Sequence, residues 1–461
     1  MLPGHERYQP QSLVPYLDYA STSKWWANVE IAALEVMAKG GHFNPALLTT
    51  ELQQAWRTIP MAEVDKLERK IGHDIRAFVR LMKQLVSVHI SNPADVALLK
   101  RFIHLGLTSF DVRDTAEVLA IREATCDVIL PLIRQLMDIL ITISLNEAET
   151  VQIGRTHLQH AEPITVGFGL SQIVHRLGTI LKELERATLA LVGKISGAVG
   201  AYNSLSLIDE DPEQFELDVL AKFDLQPALI STQILPPEPL AMLYNLMTSG
   251  SQVLANWARN FRRLGSTEVG EIGRIIDPNS VSSSTMPHKT NPVTEENTES
   301  LARVVKNMYG VVLDNIISEH ERDLCGSASS RFALMIPVLF TYQLERVIKY
   351  FDRFKLNYDR IAHNFVLQGD LIMAEPLYIL LELNDYPGDA HEDVKQLTIQ
   401  AREQSVSLMS LAEASDKMKP FIEKFTDAQM AVLLNPVTYT GIAPLKVKKV
   451  CAYWQGQLGL L

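Results

Sequence analysis

Cysteine is scarce: Cys126, Cys325 and Cys451 are the only three in 461 residues. They form no CxxC pair or other zinc spacing. An odd, scattered set of this kind predicts reduced thiols and a cytoplasmic setting. Basic charge is also in deficit, with 43 Lys and Arg against 54 Asp and Glu, a net −11. A global basic footprint is missing, so nucleic acid is not the expected partner. The opening MLPGHERYQPQ lacks the apolar core of a secretory signal. Arg134 and Asp138 interrupt the most apolar window, 128–145, which argues against a bilayer span. Repeats of 20–50 residues and low-complexity tracts are absent too. The 47% hydrophobic and 21% charged composition excludes wholesale disorder and predicts a soluble chain.

Proline is missing from 164–211, 240–277, 293–336 and 338–375. Proline in a helix interior costs about 3 kcal/mol, so these gaps permit very long helices. Apolar spacing supports them. Leu243, Met247, Gly250, Leu254, Trp257, Phe261 and Leu264 advance in steps of four and three, as do Ile173, Leu177, Ile180 and Leu184. Leu301, Val305, Met308 and Val312 repeat the pattern. Such seams are buried against other helices, and Gly250 permits one close helix approach. Strand signals are weak: Val151–Ile153 is a short β-branched stretch, without alternating runs or hairpin turns. The predicted fold is all-α with a bundle core. Its regions are an N-terminal helical part (1–114), a central long-helix bundle (115–364) and a C-terminal helical part (365–461). Seams this extensive also predict a stable oligomer.

Four segments between the helices concentrate polar residues. In His104-Leu-Gly-Leu-Thr-Ser-Phe-Asp111, Asp111 followed by Asp114 looks like a helix N-cap with an acidic first turn. It is either a plain capping loop or a place where Thr108 and Ser109 hold an anion. In 154–163, GRTHLQHAEP, His157 and His160 lie three apart, as on one helical face. A metal would need a third ligand at a recognisable spacing, and there is none. His157 is either structural or a proton-transfer residue, since imidazole titrates nearest neutral pH. The loop 281–297 places Lys289 and Asn291, a cation and an amide donor, beside three serines. No G-x-S-x-G elbow makes those serines hydrolase nucleophiles. Glu319-His-Glu-Arg-Asp323 and the Ser-rich run to Phe332 put Arg322 and Arg331 where a carboxylate or phosphate fits, or else form a solvated helix end. No Walker loop or dinucleotide fingerprint occurs.

Taken in order, these segments resemble the fumarase/aspartase lyase superfamily. SSSTMPHKTNP is similar to its signature loop, and Arg7–Tyr8, His73–Asp74, GKISGAVGAY at 193–202 and HERD add to the likeness, over residues 7 to 332. Ser282 stands where the family has glycine, Thr290 where it has a basic residue, and Phe110 where threonine is common. After Thr232-Gln233 the family often has Arg-Asp-Arg-His, whereas this chain reads ILPPEPLAM. The missing basic residues bear on the substrate and not on the reaction class.

The resemblance implies a three-domain all-α fold and an anti β-elimination, in which fumarate leaves the nitrogen of a succinylated purine nucleotide. Such a site must supply a base, charge stabilisation for a dianion-like carbanion, and an acid for the departing nitrogen. By motif position Ser283 is the base, Lys289 and Asn291 stabilise charge, His157 is the acid, and Glu296 orients His157 or its partner. His104 and His73 are secondary candidates. Arg7, Tyr8, Asp74, Thr108, Ser109, Gln233, Ser284, Arg322, Ser327 and Arg331 hold the substrate. The family pattern implies no metal or organic cofactor and a homotetramer with shared sites. Alternatives are a carboxymuconate cycloisomerase or another succinyl-adduct C–N lyase. A non-catalytic scaffold is disfavoured because Ser283, Lys289 and Asn291 are all present.

Overall fold

Each long proline-free stretch carries a long helix. The computed structural model describes residues 1–275, 285–286 and 288–459. The helices that matter for the site are α1 (Thr22–Lys39), α2 (Asp74–His89), α3 (Ser109–Ala124), α4 (Leu130–Asn146), α5 (Val166–Leu189), α6 (Glu238–Leu264), α7 (Val293–Asp314) and α8 (Met335–Phe351). The α6 seam is buried from Leu243 through Met247, Leu254 and Trp257 to Phe261. Only Leu264, at its end, is half-buried. Among the described residues, strand is confined to three two-stranded ribbons, so the fold is all-α.

Two units are distinguished along the chain. The first gathers Met1–Arg134, Thr179–Ala255 and Asn297–Val347. In it α1 buries Trp25, Trp26 and most of its aliphatic residues, and Trp26 meets Phe78 of α2 edge-on at 5.5 Å. Trp56 is fully buried, with its indole N–H donating to the Met82 carbonyl at 3.1 Å. At Gly250 the close neighbour is a side chain and not a helix backbone: a Cβ there would lie 2.7 Å from Cζ of Phe340 on α8.

The second unit gathers Gln135–Gly178, Asn256–Glu296 and Ile348–Leu461. Trp257, Phe261, Tyr350, Phe351 and Phe354 form its aromatic cluster, with Trp257 to Phe261 at 4.9 Å and to Tyr350 at 5.1 Å. Each such pair adds about 0.5–1.5 kcal/mol beyond the area it buries.

A single π-turn, Thr125–Ile129, joins α3 to α4. The resulting helix, Ser109–Asn146, is long and apolar enough to cross a bilayer by length and composition despite Arg134 and Asp138. Half of its most apolar window is buried within the protein, as in a core helix.

The segment carrying His157 and His160 corrects the helical reading. It is an antiparallel hairpin, β1 (Val151–Thr156) and β2 (Gln159–Thr165), with Arg155 opposite His160 and Thr156 opposite Gln159. The register breaks between Ile153 and Arg155, where a Cβ on Gly154 would sit 2.5 Å from the Glu162 carbonyl oxygen. His157 and Leu158 turn the chain with φ of 53° and 64°. Positive φ at both central residues is type I′ geometry, usually supplied by Asn-Gly.

Candidate active site

In the first unit the site is built around the start of α3. Thr108 stands at the cap, and its N–H donates to Asp111 Oδ2 at 2.7 Å. Asp111 is therefore the third residue of the helix, reaching back, and not the cap itself. Its carboxylate also receives the Ser196 N–H at 3.1 Å, the Gly197 N–H at 3.2 Å and the Lys194 ammonium. Asp111 and Lys194 are both fully buried. Burying two charges is costly unless each is paired and bonded further, and Asp111 meets that condition. The pair clips the 104–111 segment to 193–202. The Thr108 N–H is thus used inside the protein and is not free for an anion.

His73 caps α2: its Nδ1 lies 3.4 Å from the Arg76 N–H and its Nε2 3.2 Å from Ser109 Oγ. Asp74 follows, with Oδ1 accepting its neighbour's N–H and Oδ2 3.8 Å from Arg113. His104, at φ 65°, places Nδ1 2.6 Å from Glu30 Oε1 of α1. Burial alone would lower the pKa of His104, but the Glu30 charge and hydrogen bond outweigh it and raise it. The Glu30 contact thus favours the protonated form of His104.

Along α3, Phe110, Arg113, Asp114 and Glu117 line a cavity of about 150 Å³ with Arg322 and Ser327. The Arg322 guanidinium lies 4.3 Å over the Phe110 ring, and burial lowers its pKa. Burial pushes Asp114 up to about 6, partly opposed by the Leu235 N–H at 3.0 Å. Glu117 rises to about 7, through burial first and the Asp114 charge second. Arg331 bonds the Ser327 carbonyl at 2.7 Å and, with Asp74, Arg113, Tyr16 and Trp25, lines a second cavity of about 290 Å³. The Gln233 N–H donates to the Glu321 carbonyl at 3.2 Å. Arg7 is exposed on a short helical turn, and Tyr8 meets Tyr342 edge-on at 5.3 Å. The first unit thus brings His73 to Ser109 and Arg331 to Ser327.

The second unit carries His157, Lys289, Asn291 and Glu296. His157 is exposed at the hairpin tip, open to proton exchange and in a backbone region that costs a non-glycine residue energy. The hairpin is anchored by buried Glu271, which binds Arg155, the Gln152 amide at 2.6 Å and the Asn364 amide at 2.8 Å. His160 faces this cluster, and burial and then Arg155 lower its pKa. Lys289 is exposed, and the Asn291 carbonyl accepts from Arg274 at 2.9 Å. Glu296 is exposed in the first turn of α7, whereas Glu295 is buried and 3.7 Å from Arg274. Ser283 and Ser284 lie outside the described residues. No group of three or more His, Cys, Asp or Glu is placed to hold a metal among the described residues.

A family model described as lyase matches residues 28–306. The chain belongs to the fumarase/aspartase lyase family. The adenylosuccinate lyase of Archaeoglobus fulgidus is 30% identical over 433 residues, 93% of each chain. That of Pyrococcus horikoshii is 31% identical over 97% of this chain and 96% of its own. Among solved structures, a fumarate lyase from Mesorhizobium sp. BNC1 superposes with a TM-score of 0.82 at 22% identity, covering 98% of this chain and all of that one. The 3-carboxy-cis,cis-muconate lactonizing enzyme of Pseudomonas putida gives 0.81 at 21% identity, over 97% and 98%.

In this lyase several supporting residues escape a reading by motif. Lys194 sits inside GKISGAVGAY, and a lone lysine in an apolar run is a signal for a paired buried charge. Glu30 and Glu271 carry no local signal at all. Each is identified only by the residue that folding brings to it.

Proposed function

We propose that this lyase removes fumarate from adenylosuccinate by anti β-elimination, leaving AMP, and performs the parallel cleavage of the succinylated aminoimidazole carboxamide ribotide. The supporting observation is identity of about 30% to adenylosuccinate lyases over more than nine-tenths of each chain. Ser283 takes the proton beside the carboxylate. Lys289 and Asn291 stabilise the carbanion, and His157, oriented by Glu296, protonates the departing nitrogen. A serine base requires donors that favour its alkoxide in a water-poor site. Arg7, Tyr8, His73, Asp74, Thr108, Ser109, Gln233, Ser284, Arg322, Ser327 and Arg331 hold the nucleotide and succinyl groups. His104, with its proton held by Glu30, supports the site electrostatically. We place the enzyme in the cytoplasm as a homotetramer with shared sites.

The test is turnover of adenylosuccinate, followed by absorbance, in wild type and three variants. Ser283→Ala and His157→Ala should each lower kcat by about 10² to 10⁴, as general acid–base groups do. Arg331→Ala should chiefly raise KM, because an anion contact is made in ground and transition states alike. Near wild-type kcat in Ser283→Ala would refute the base assignment. Ile234-Leu-Pro-Pro-Glu-Pro-Leu240 in place of a basic run favours a second reading, a cycloisomerase or other succinyl-adduct lyase. Turnover of carboxymuconate without adenylosuccinate would establish it.

A further inference from the structure

Arg322 stands between α7 and α8, outside any helix. Asp323 shapes the backbone there, accepting the Glu319 N–H at 2.7 Å and the Cys325 N–H at 2.6 Å. Among the described residues the Arg322 side chain has no hydrogen bond or ion pair, and its buried Nε is without a partner. It meets a ring instead: the guanidinium lies 4.3 Å over Phe110. Phe110 is the second residue of α3 and precedes Asp111, whose carboxylate is fixed by Thr108, Lys194, Ser196 and Gly197. The ring is therefore set by an anchored backbone, and the arginine is set by the ring. A threonine at position 110, as the family pattern has it, would offer no such face.

We propose that Phe110 is a positioning residue for substrate binding: its ring holds the Arg322 guanidinium so that the N–H edge meets an anionic group of the substrate, a phosphate or a carboxylate. A guanidinium stacked on an aromatic face keeps its in-plane donors free for bidentate contact. Few other cations share the task. Among the described residues, the cavity that Phe110 lines has two, Arg113 and Arg322. Arg113 lies 5.6 Å from the same ring and 3.8 Å from Asp74, which already engages its charge. Ile234, Leu235 and Pro237, from the stretch where the family often has a basic run, line the cavity as an apolar wall. Burial holds Asp114 and Glu117 toward their neutral forms, which lessens their repulsion of an anion. The anion contact thus falls to Arg322. A guanidinium held in place by the ring loses less side-chain freedom on binding than a free one.

The inference rests on the reading of Arg322 as a substrate contact, so binding is measured beside turnover. The full-length protein is assayed with adenylosuccinate and titrated calorimetrically with AMP, fumarate and adenosine. Phe110→Leu keeps apolar bulk but has no π face. It should raise KM roughly three- to thirtyfold, the range of a cation–π contact, with kcat within about twofold, since the contact is made in ground and transition states alike. It should weaken AMP or fumarate by a similar factor and leave adenosine, which carries no anion, unchanged. An effect on AMP assigns the phosphate to Arg322, and an effect on fumarate assigns a carboxylate. Phe110→Tyr, which keeps the ring, should restore wild-type values, a rescue that a purely structural role does not predict. In an Arg322→Met background, Phe110→Leu should add less than about twofold. Thermal unfolding establishes that each variant is folded, and Phe110→Met replaces Phe110→Leu if the latter is not. A wild type that binds AMP or fumarate without turning over adenylosuccinate would refute the proposed function alone. The role of Phe110 is overturned if wild type binds neither AMP nor fumarate, if folded Phe110→Leu binds both as wild type does, if adenosine weakens equally, or if Phe110→Tyr fails to restore binding.

Discussion

Removing either member of the buried Asp111–Lys194 pair should destabilise the protein, but unequally. The carboxylate has three partners besides lysine: the N–H groups of Thr108 at 2.7 Å, Ser196 at 3.1 Å and Gly197 at 3.2 Å. Among the described residues the ammonium has, besides Asp111, only the Gly197 carbonyl at 3.4 Å. Breaking a buried pair costs about 3–5 kcal/mol. Lys194→Met keeps the aliphatic stem and leaves a carboxylate that still accepts three bonds, so its cost should sit near 3 kcal/mol. Asp111→Ala strands the ammonium and also unties three backbone donors, each worth about 1–3 kcal/mol when left unsatisfied. Its cost should reach or exceed 5 kcal/mol. The double variant should cost less than the sum, because no charge is then stranded. Urea unfolding followed by tryptophan fluorescence reads the effect, since Trp25, Trp26 and Trp56 all lie in the first unit. Lys194→Met costing as much as Asp111→Ala, or strict additivity, would refute the reasoning.

Raised carboxyl pKa values carry a definite sign. Asp114, at about 6, and Glu117, at about 7, bind more protons folded than unfolded. Their contribution therefore favours the folded state at low pH and is lost as pH rises through about 4 to 7. Glu117→Gln should flatten that part of the decline in thermal midpoint, and an unchanged slope would contradict the assignment. Glu271→Gln should cost about 3–5 kcal/mol by leaving the Arg155 guanidinium without its charge partner. Amide exchange across 151–165 should accelerate in that variant, and unchanged protection there would count against Glu271 as the anchor. At the hairpin tip, Leu158→Gly should stabilise by up to about 1 kcal/mol by relieving the left-handed backbone, and Leu158→Val should destabilise. Thermal unfolding that ranks these two in the opposite order would discount strain at the turn.

Helices were legible because their cause is local. Proline exclusion and the four-and-three seam act within one segment, and α6 buries the seam residues from Leu243 to Phe261 that its spacing marks. The family was legible because its motifs are short runs of contiguous residues. The hairpin at 151–165 was not, since His157 and Leu158 make a turn usually signalled by Asn-Gly. Its anchor, the Arg155–Glu271 pair, spans 116 residues. Asp111 could be read as a helix start, but its role as the acceptor for Lys194, 83 residues away, could not. The same holds for Asp114 and Glu117. As letters they are two ordinary carboxylates on a helix. Their elevated pKa values and the unpartnered Tyr244 hydroxyl arise only once distant segments remove water from around them. Sequence alone determined where the backbone can be helical and which motifs the chain carries. Tertiary structure decided which charges are paired and which are left facing a cavity, because desolvation and Coulomb attraction depend on distance in space and not along the chain.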